Sequence, residues 1–135
     1  MRHHLLDTTP LAGLLQNRPP IVARLSPLIA RADVATSILV YAEVVEYLKS
    51  LPDFPRRHDQ LRRLLRQVYP YFLTYPILGR YADIRRQLRP PFRPGLIGDI
   101  DTLIAATALE RNLTLITMDQ DFQRVPGLKV MVLPR

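Results

Sequence analysis

The sequence predicts a single α/β domain in which helices cover both faces of a mostly parallel sheet. Short apolar runs of strand length alternate with helical stretches along the chain, a pattern typical of such sheets. Hydrophobic residues make up 47% of the 135 residues, enough for one sizeable core. The chain has no internal repeat and no low-complexity linker. We therefore expect one domain over residues 1–135.

Five apolar runs are predicted to form the strands. They cover residues 3–6, 34–36, 72–75, 113–116 and 128–132. The first run is followed by Asp7, and the fourth is followed closely by Asp119. Ligands of open α/β sheets bind outside the carboxyl ends of the strands, so both acids are expected at that edge. Taken alone, Asp7 is better explained as a residue that helps the next helix to start, and Asp119 as an ordinary turn residue.

Helices are predicted between the strands from capping residues, prolines and apolar periodicity. Thr9 is the expected N-cap of the first helix, with Pro10 at its first position. Ser37 is expected to cap the third helix, and Pro76 to open the fifth. The predicted helices cover residues 10–17, 21–31, 38–49, 54–68, 76–88 and 98–111, and an irregular proline-rich loop is expected over 89–94.

Composition limits the classes of function. The chain has no cysteine, which excludes disulfides, thiolate metal sites and cysteine nucleophiles. It has neither a signal peptide nor an apolar run of the roughly 18 residues that span a bilayer, so we expect a cytoplasmic protein without a membrane partner. The net charge of +7 favours a polyanionic partner.

Arginines are concentrated in the middle of the chain. Arg62, Arg63 and Arg66 lie mostly off the apolar stripe of the predicted helix over residues 54–68. Two interpretations remain open for these arginines: they form an ordinary solvated helix face, or they form a surface that binds nucleic-acid phosphates. His58 on the same helix is expected to be solvated.

Carboxylates in apolar surroundings indicate a site. The helix over residues 38–49 is apolar except for Glu43 and Glu46, and a carboxylate buried there must be paired, protonated or bound to a metal. Asp99 and Asp101 open the apolar helix over residues 98–111, where one capping acid would suffice. Asp7, Glu43, Asp101 and Asp119 are thus predicted to share one cleft. All-oxygen ligands suit Mg²⁺ or Mn²⁺. A buried Arg–Glu pair is the alternative for Glu43.

Four segments carry a resemblance to a known family. Residues 5–8 (LLDT), Thr36 and Ser37 followed by Glu43, residues 101–109 (DTLIAATAL), and residues 117–122 (TMDQDF) with 126–128 (PGL) resemble the motifs of PIN-domain ribonucleases, in particular VapC-like toxins. One departure is Thr9, where the family usually has asparagine. The motifs match from end to end, and those over residues 101–109 and 117–128 are specific.

The resemblance implies an α/β/α sandwich on a parallel sheet and an endoribonuclease that depends on Mg²⁺ or Mn²⁺. It further implies an RNA substrate, a cognate antitoxin and a homodimer. The motif registers identify Asp7, Glu43, Asp101 and Asp119 as metal ligands and assign Thr117 to orienting a carboxylate or water. Asp99 could share the role of Asp101, and Asp121 that of Asp119. A non-catalytic binding module and a DNA-directed nuclease of the same superfamily remain as alternatives.

Overall fold

The computed structural model describes residues 1–90 and 95–135, so most of the predicted proline-rich loop, residues 91–94, lies outside the described residues. Short strands and helices alternate along the chain, as predicted. In chain order the elements are β1 (His4–Leu6), α1 (Thr8–Leu15), α2 (Pro19–Ala30), β2 (Val34–Ser37), α3 (Ile38–Leu48), α4 (Phe54–Leu64), β3 (Tyr69–Tyr71), α5 (Tyr75–Leu88), α6 (Asp99–Arg111), β4 (Thr114–Thr117), a 3-10 helix (Gln120–Arg124) and β5 (Val130–Val132).

The five strands form one sheet in the order β3-β2-β1-β4-β5, and every neighbouring pair is parallel. The predicted α/β sandwich is therefore confirmed, with an entirely parallel sheet. Strand β1 is central, and Leu6 lies opposite Thr36 of β2 and Ile116 of β4. Because all strands run in one direction, their carboxyl ends meet at a single edge, which positions the site described below.

The core lies on both faces of the central strands. Leu5, Leu6, Leu115 and Ile116 are completely buried, as expected for strands covered on both faces. Within α6, alanines 105, 106 and 108 are also fully buried. Small side chains allow this helix to approach its neighbours closely. Of the described residues, none belongs to a helix long and apolar enough to cross a membrane.

Helices α5 and α6 pack against each other in opposite directions. Arg80 near the start of α5 contacts Glu110 at the end of α6 at 3.1 Å. Arg85, further along α5, contacts Asp99 at the start of α6 at 2.7 Å. The amino terminus of α5 is therefore distant from the amino terminus of α6.

The third strand differs from the prediction. It was expected at residues 72–75, but β3 is Tyr69–Tyr71, with Pro70 inside it. Proline is disfavoured in central strands because it lacks an N–H, but β3 is an edge strand, where that loss is tolerated. Phe72 and Tyr75 are instead 64% and 91% exposed, and the Thr74 hydroxyl accepts the Ile77 N–H to cap α5.

Several helix boundaries also differ. Helix α1 begins at Thr8, with Asp7 rather than Thr9 at the N-cap position. Helix α2 begins at Pro19, because prolines fit the first turn of a helix, where no intrahelical N–H partner is needed. Helix α4 ends at Leu64, earlier than residue 68, and the chain then turns to bury Val68.

Candidate metal centre

Asp7 and Thr117 lie side by side at the carboxyl ends of β1 and β4. The Asp7 N–H donates to the Ile116 carbonyl at 3.0 Å, which continues the ladder between the two strands. The Thr117 hydroxyl donates to Oδ2 of Asp7 at 2.7 Å. Thr117 is completely buried and Asp7 is only 6% exposed. The carboxylate of Asp7 is therefore held in place by its neighbour in the sheet.

The side chain of Asp7 does not cap the helix that follows it. Asp7 occupies the N-cap position of α1, yet within the described part of the chain its carboxylate makes no capping hydrogen bond. The helix-starting explanation of this acid does not account for a nearly buried carboxylate. The same carboxylate is available for a ligand.

Glu43 reaches the same region from α3. It is partly buried, and the Thr8 hydroxyl at the start of α1 donates to its Oε1. Glu46, on the adjacent part of the helix, is exposed. No arginine described in the structure forms an ion pair with Glu43, so the buried Arg–Glu alternative is not observed there.

The two aspartates at the start of α6 have different surroundings. Asp99 accepts hydrogen bonds from the Tyr81 hydroxyl at 3.0 Å and from Arg85 at 2.7 Å, and its side chain is 68% exposed. Asp101 is partly buried, and the charges of Asp7, Glu43 and Asp119 act on its carboxyl group. Asp99 thus connects α6 to α5, whereas Asp101 shares the electrostatic environment of the other predicted acids.

Asp119 follows β4 and begins the 3-10 helix. Its Oδ1 accepts the N–H of Asp121 at 2.9 Å, and its own N–H donates to the Thr117 hydroxyl oxygen at 3.0 Å. Asp121 is exposed. Thr117 therefore connects Asp119 to Asp7, accepting from the backbone of one and donating to the carboxylate of the other.

The carboxylates are close enough to repel one another. Burial raises the pKa of Asp7 above its ordinary value, and the charges of Glu43 and Asp119 raise it further, against the lowering effect of the Thr117 hydrogen bond. Burial raises the pKa of Asp101 to about 6, with additional contributions from Asp7, Glu43, Asp119 and Asp121. The four predicted acids thus share one electrostatic environment.

The chemistry of this group fits a hard divalent cation. Every candidate donor is a carboxylate or hydroxyl oxygen, as Mg²⁺ and Mn²⁺ prefer. A cation would also offset the repulsion that, in addition to burial, raises the pKa of Asp7 and Asp101. In the described ranges, however, no three Asp, Glu or His side chains already converge in a metal-holding arrangement. Joint ligation therefore requires the side chains to turn toward one another.

Some contacts were not predicted from the sequence. Thr8 belongs to the LLDT segment, but its hydrogen bond to Glu43 depends on how α1 meets α3. His58 was expected to be solvated, and this was wrong: it is partly buried, 2.9 Å from the Tyr41 hydroxyl and stacked on Phe54.

The three arginines proposed for RNA binding are exposed and lie on α4 and the turn after it. Arg63 forms an ion pair with Asp59 at 2.6 Å. Arg62 and Arg66 line a pocket beside the start of α3. None of the three pairs with an acid of the candidate centre in the described structure.

Comparison with known proteins identifies the family. The PIN-domain family model matches residues 4–128. Ribonuclease VapC1 of Haemophilus influenzae (strain R2866) is 30% identical over 128 residues, covering 93% of this chain and 94% of the relative. Among solved structures, VapBC2 from Rickettsia felis, bound to a promoter DNA fragment, aligns with a TM-score of 0.85 at 22% identity, covering 96% of this chain and 98% of that one.

A second solved structure is VapBC-5 from Mycobacterium tuberculosis, a member of the VapBC family of toxin–antitoxin systems. It aligns with a TM-score of 0.68 at 21% identity and covers 100% of both chains. At these identities the two structures support the fold alone, whereas the family model and the curated relative cover nearly the whole chain. Together with the strand-end acids, these matches show that the chain belongs to the PIN-domain family and groups there with the VapC ribonucleases.

Proposed function

We propose that this chain is a cytoplasmic, Mg²⁺- or Mn²⁺-dependent endoribonuclease and the toxin of a toxin–antitoxin pair. The observation that supports metal dependence is that four acids, Asp7, Glu43, Asp101 and Asp119, lie close enough for their charges to interact. Asp7 and Asp101 are buried enough, and near enough to Glu43 and Asp119, to have raised pKa values. A bound cation would offset the repulsion among these carboxylates, and a metal-holding cleft suits phosphodiester cleavage.

In this proposal Asp7, Glu43, Asp101 and Asp119 hold the metal. When bound, the metal supplies positive charge that binds the scissile phosphate and makes water a better nucleophile. Thr117 fixes the carboxylate of Asp7, and Thr8 fixes that of Glu43. Arg62, Arg63 and Arg66 are proposed to attract the flanking RNA chain.

The test is cleavage of total cellular RNA by the purified chain. We expect cleavage with Mg²⁺ or Mn²⁺, none with EDTA, and recovery when the metal is returned. Asp101→Asn should abolish cleavage. Asp99→Asn is the matched control, since Asp99 contacts Tyr81 and Arg85 instead, and it should lose much less activity. Activity that survives full chelation would rule out the metal mechanism.

The toxin role is supported by the likeness to VapBC structures and by a groove beside the acids. Residues from α1 and α3 line it, beginning at Thr8 and Glu43 and continuing past Val44 and Tyr47 to Leu48. An antitoxin tail could place a lysine or arginine among the acids and lay apolar side chains along this groove. Such a tail would fold on binding and cover more surface than a rigid partner of its size.

Expression in cells tests the toxin role independently of RNA cleavage in vitro. The chain alone should halt growth, and co-expression of the small protein encoded next to it should restore growth. The Asp101→Asn chain should be harmless and still bind that partner. A wild-type chain that is folded, expressed and harmless would contradict the toxin role while leaving the nuclease proposal in place.

A further inference from the structure

The surface between α3 and α4 carries polar groups that the proposed cleavage chemistry does not use. Ile38, Tyr41, Arg62, Leu65 and Arg66 line one open pocket there. Tyr41 and Glu43 are two residues apart on α3, which separates their side chains by roughly 200° around the helix axis. The pocket is therefore distinct from the cleft that Glu43 enters.

Two arginines of this surface carry charge that no acid in the described part of the chain neutralises. Arg63 is paired with Asp59 at 2.6 Å. Arg62 and Arg66 form no ion pair with any residue that the structure describes, and both are exposed. Being four residues apart, they project from the same side of α4 and its final turn. The pocket is thus positively charged and available to an anion.

A tyrosine hydroxyl is fixed at the same place. The hydroxyl of Tyr41 lies 2.9 Å from Nε2 of His58. The His58 ring is in turn stacked on Phe54, with ring centroids 5.3 Å apart. A hydroxyl has one donor and two acceptor positions, so Tyr41 can accept from His58 while donating to an anion.

The pocket lies where the chain leaves the edge of the sheet that carries the acids. Ile38 directly follows β2, and β2 is the neighbour of β1, which ends beside Asp7. Neighbouring strands are about 5 Å apart. A single extended polymer could therefore occupy the pocket and the cleft together. Ile38 and Leu65 add apolar surface, which suits sugars and bases better than acidic side chains.

We propose a phosphate-binding subsite for single-stranded RNA on the side of α3 opposite to Glu43. It is formed by Arg62, Arg66 and Tyr41. The subsite rests on the proposed ribonuclease function and adds to it the position where the substrate backbone is held. Arg62 and Arg66 contact the phosphate, Tyr41 donates one hydrogen bond to it, and His58 positions Tyr41. Of the three arginines proposed above to attract RNA, Arg63 is not part of this subsite, because it is paired with Asp59.

The test measures binding of a fluorescein-labelled single-stranded RNA of about 12 nucleotides to the full chain in EDTA, by anisotropy at several salt concentrations. Arg62→Gln should weaken binding about 5-fold and make the plot of log K against log salt shallower by about 0.7, the value for one phosphate contact on a single strand. Arg63→Gln removes the same charge one residue away and should change neither quantity appreciably. Tyr41→Phe should weaken binding about 3- to 10-fold without changing the slope, because it removes a hydrogen bond but no charge.

Three results would overturn the subsite. Equal effects of Arg62→Gln and Arg63→Gln would mean long-range attraction only. Unchanged RNA binding by Arg62→Gln, with weaker binding of the co-expressed neighbouring protein, would assign the pocket to an acidic protein surface. An unchanged RNA affinity in Tyr41→Phe would show that the Tyr41 hydroxyl does not bind the phosphate. Cleavage by the wild-type chain in Mg²⁺ is measured in parallel: cleavage together with any of these results leaves the ribonuclease proposal standing, whereas a chain that neither binds nor cleaves RNA overturns both.

Discussion

Asp101 shows how one residue couples the site to the stability of the fold. Burial, with the charges of Asp7 and Glu43, raises its pKa from 3.8 to about 6. Between those two pH values the folded chain holds a proton that the unfolded chain has released. Stability of the metal-free protein therefore falls as pH rises through this window, and the loss is complete above about pH 6.

We predict that Asp101→Asn stabilises the metal-free chain. At pH 7 the free energy of unfolding should rise by about 1–2 kcal/mol, a value discounted for the partial exposure of the carboxylate. Urea denaturation in EDTA between pH 4 and pH 7 measures this, and the variant should show a flatter pH dependence. Asp99→Asn is the control and should give no gain, since Asp99 is paired with Arg85. A wild-type-like pH profile in Asp101→Asn would contradict the assignment.

Thr117 is the residue that organises the others through hydrogen bonds. It donates to the Asp7 carboxylate and accepts from the Asp119 backbone. We predict that Thr117→Val lowers RNA cleavage by about 10- to 100-fold and stability by about 1–3 kcal/mol, because the buried carboxylate of Asp7 loses its side-chain hydrogen-bond donor. Thr117→Ser keeps the hydroxyl and should recover most of the cleavage rate. If Thr117→Ser and Thr117→Val cleave equally slowly, the hydroxyl does not position Asp7.

At the scale of elements, helix capping explains why the start of α3 was predicted correctly, and the place of β3 at the edge of the sheet explains why its position was not. Ser37 was expected to cap α3, and its hydroxyl accepts the Leu39 N–H at 3.1 Å. The predicted position of β3 was wrong because residues 72–75 (FLTY) include two aromatic residues and a β-branched one, which favour a strand, whereas Pro70 argues against a strand. Whether a proline is tolerated depends on the strand lying at the edge of the sheet, which local sequence does not specify.

The contact between α1 and α2 gives a prediction at this scale. A Cβ atom placed at Gly13 would come within 2.3 Å of Cδ1 of the buried Ile21, whereas nothing lies within 4 Å of one at Gly79 in α5. Gly79→Ala should therefore stabilise the chain by about 0.5–1 kcal/mol through helix propensity.

Gly13→Ala gains the same helix propensity, but the end of the buried Ile21 side chain must move, and overpacking that displaces only a side-chain end costs about 1 kcal/mol. Its unfolding free energy should fall at least about 1 kcal/mol below that of Gly79→Ala in urea titrations at one pH. Equal values for the two variants would mean that α1 and α2 are not packed this closely.

For the whole molecule, the largest exposed apolar side chains are concentrated near β3 and the start of α5. Tyr69, Phe72, Tyr75 and Leu78 are 48%, 64%, 91% and 41% exposed. Because α5 and α6 run in opposite directions, Tyr75 and Leu78 at the start of α5 are distant from Asp101 at the start of α6. Clustered exposed apolar area is typical of an interaction surface, and the predicted homodimer would cover it.

We predict that the double variant Phe72→Ser/Tyr75→Ser shifts the dimer toward monomer, measured as molar mass by light scattering over a range of concentrations. Leu96→Ser, at an exposed leucine outside this surface, is the control and should leave the mass unchanged. A double variant that retains the wild-type mass would place the dimer contact elsewhere or show that no dimer forms.

The sequence by itself determined the fold class and the approximate order of elements, and it predicted the four acids of the candidate centre. Strand length, apolar periodicity and helix caps are local properties, and the motif registers singled out Asp7, Glu43, Asp101 and Asp119. The tertiary structure alone decided which hydroxyls hold these acids, that Asp99 is tied to α5, and that Arg63 is neutralised while Arg62 and Arg66 are not. Those outcomes depend on which elements pack side by side, and the free energy of that packing is distributed over contacts between residues far apart in the chain.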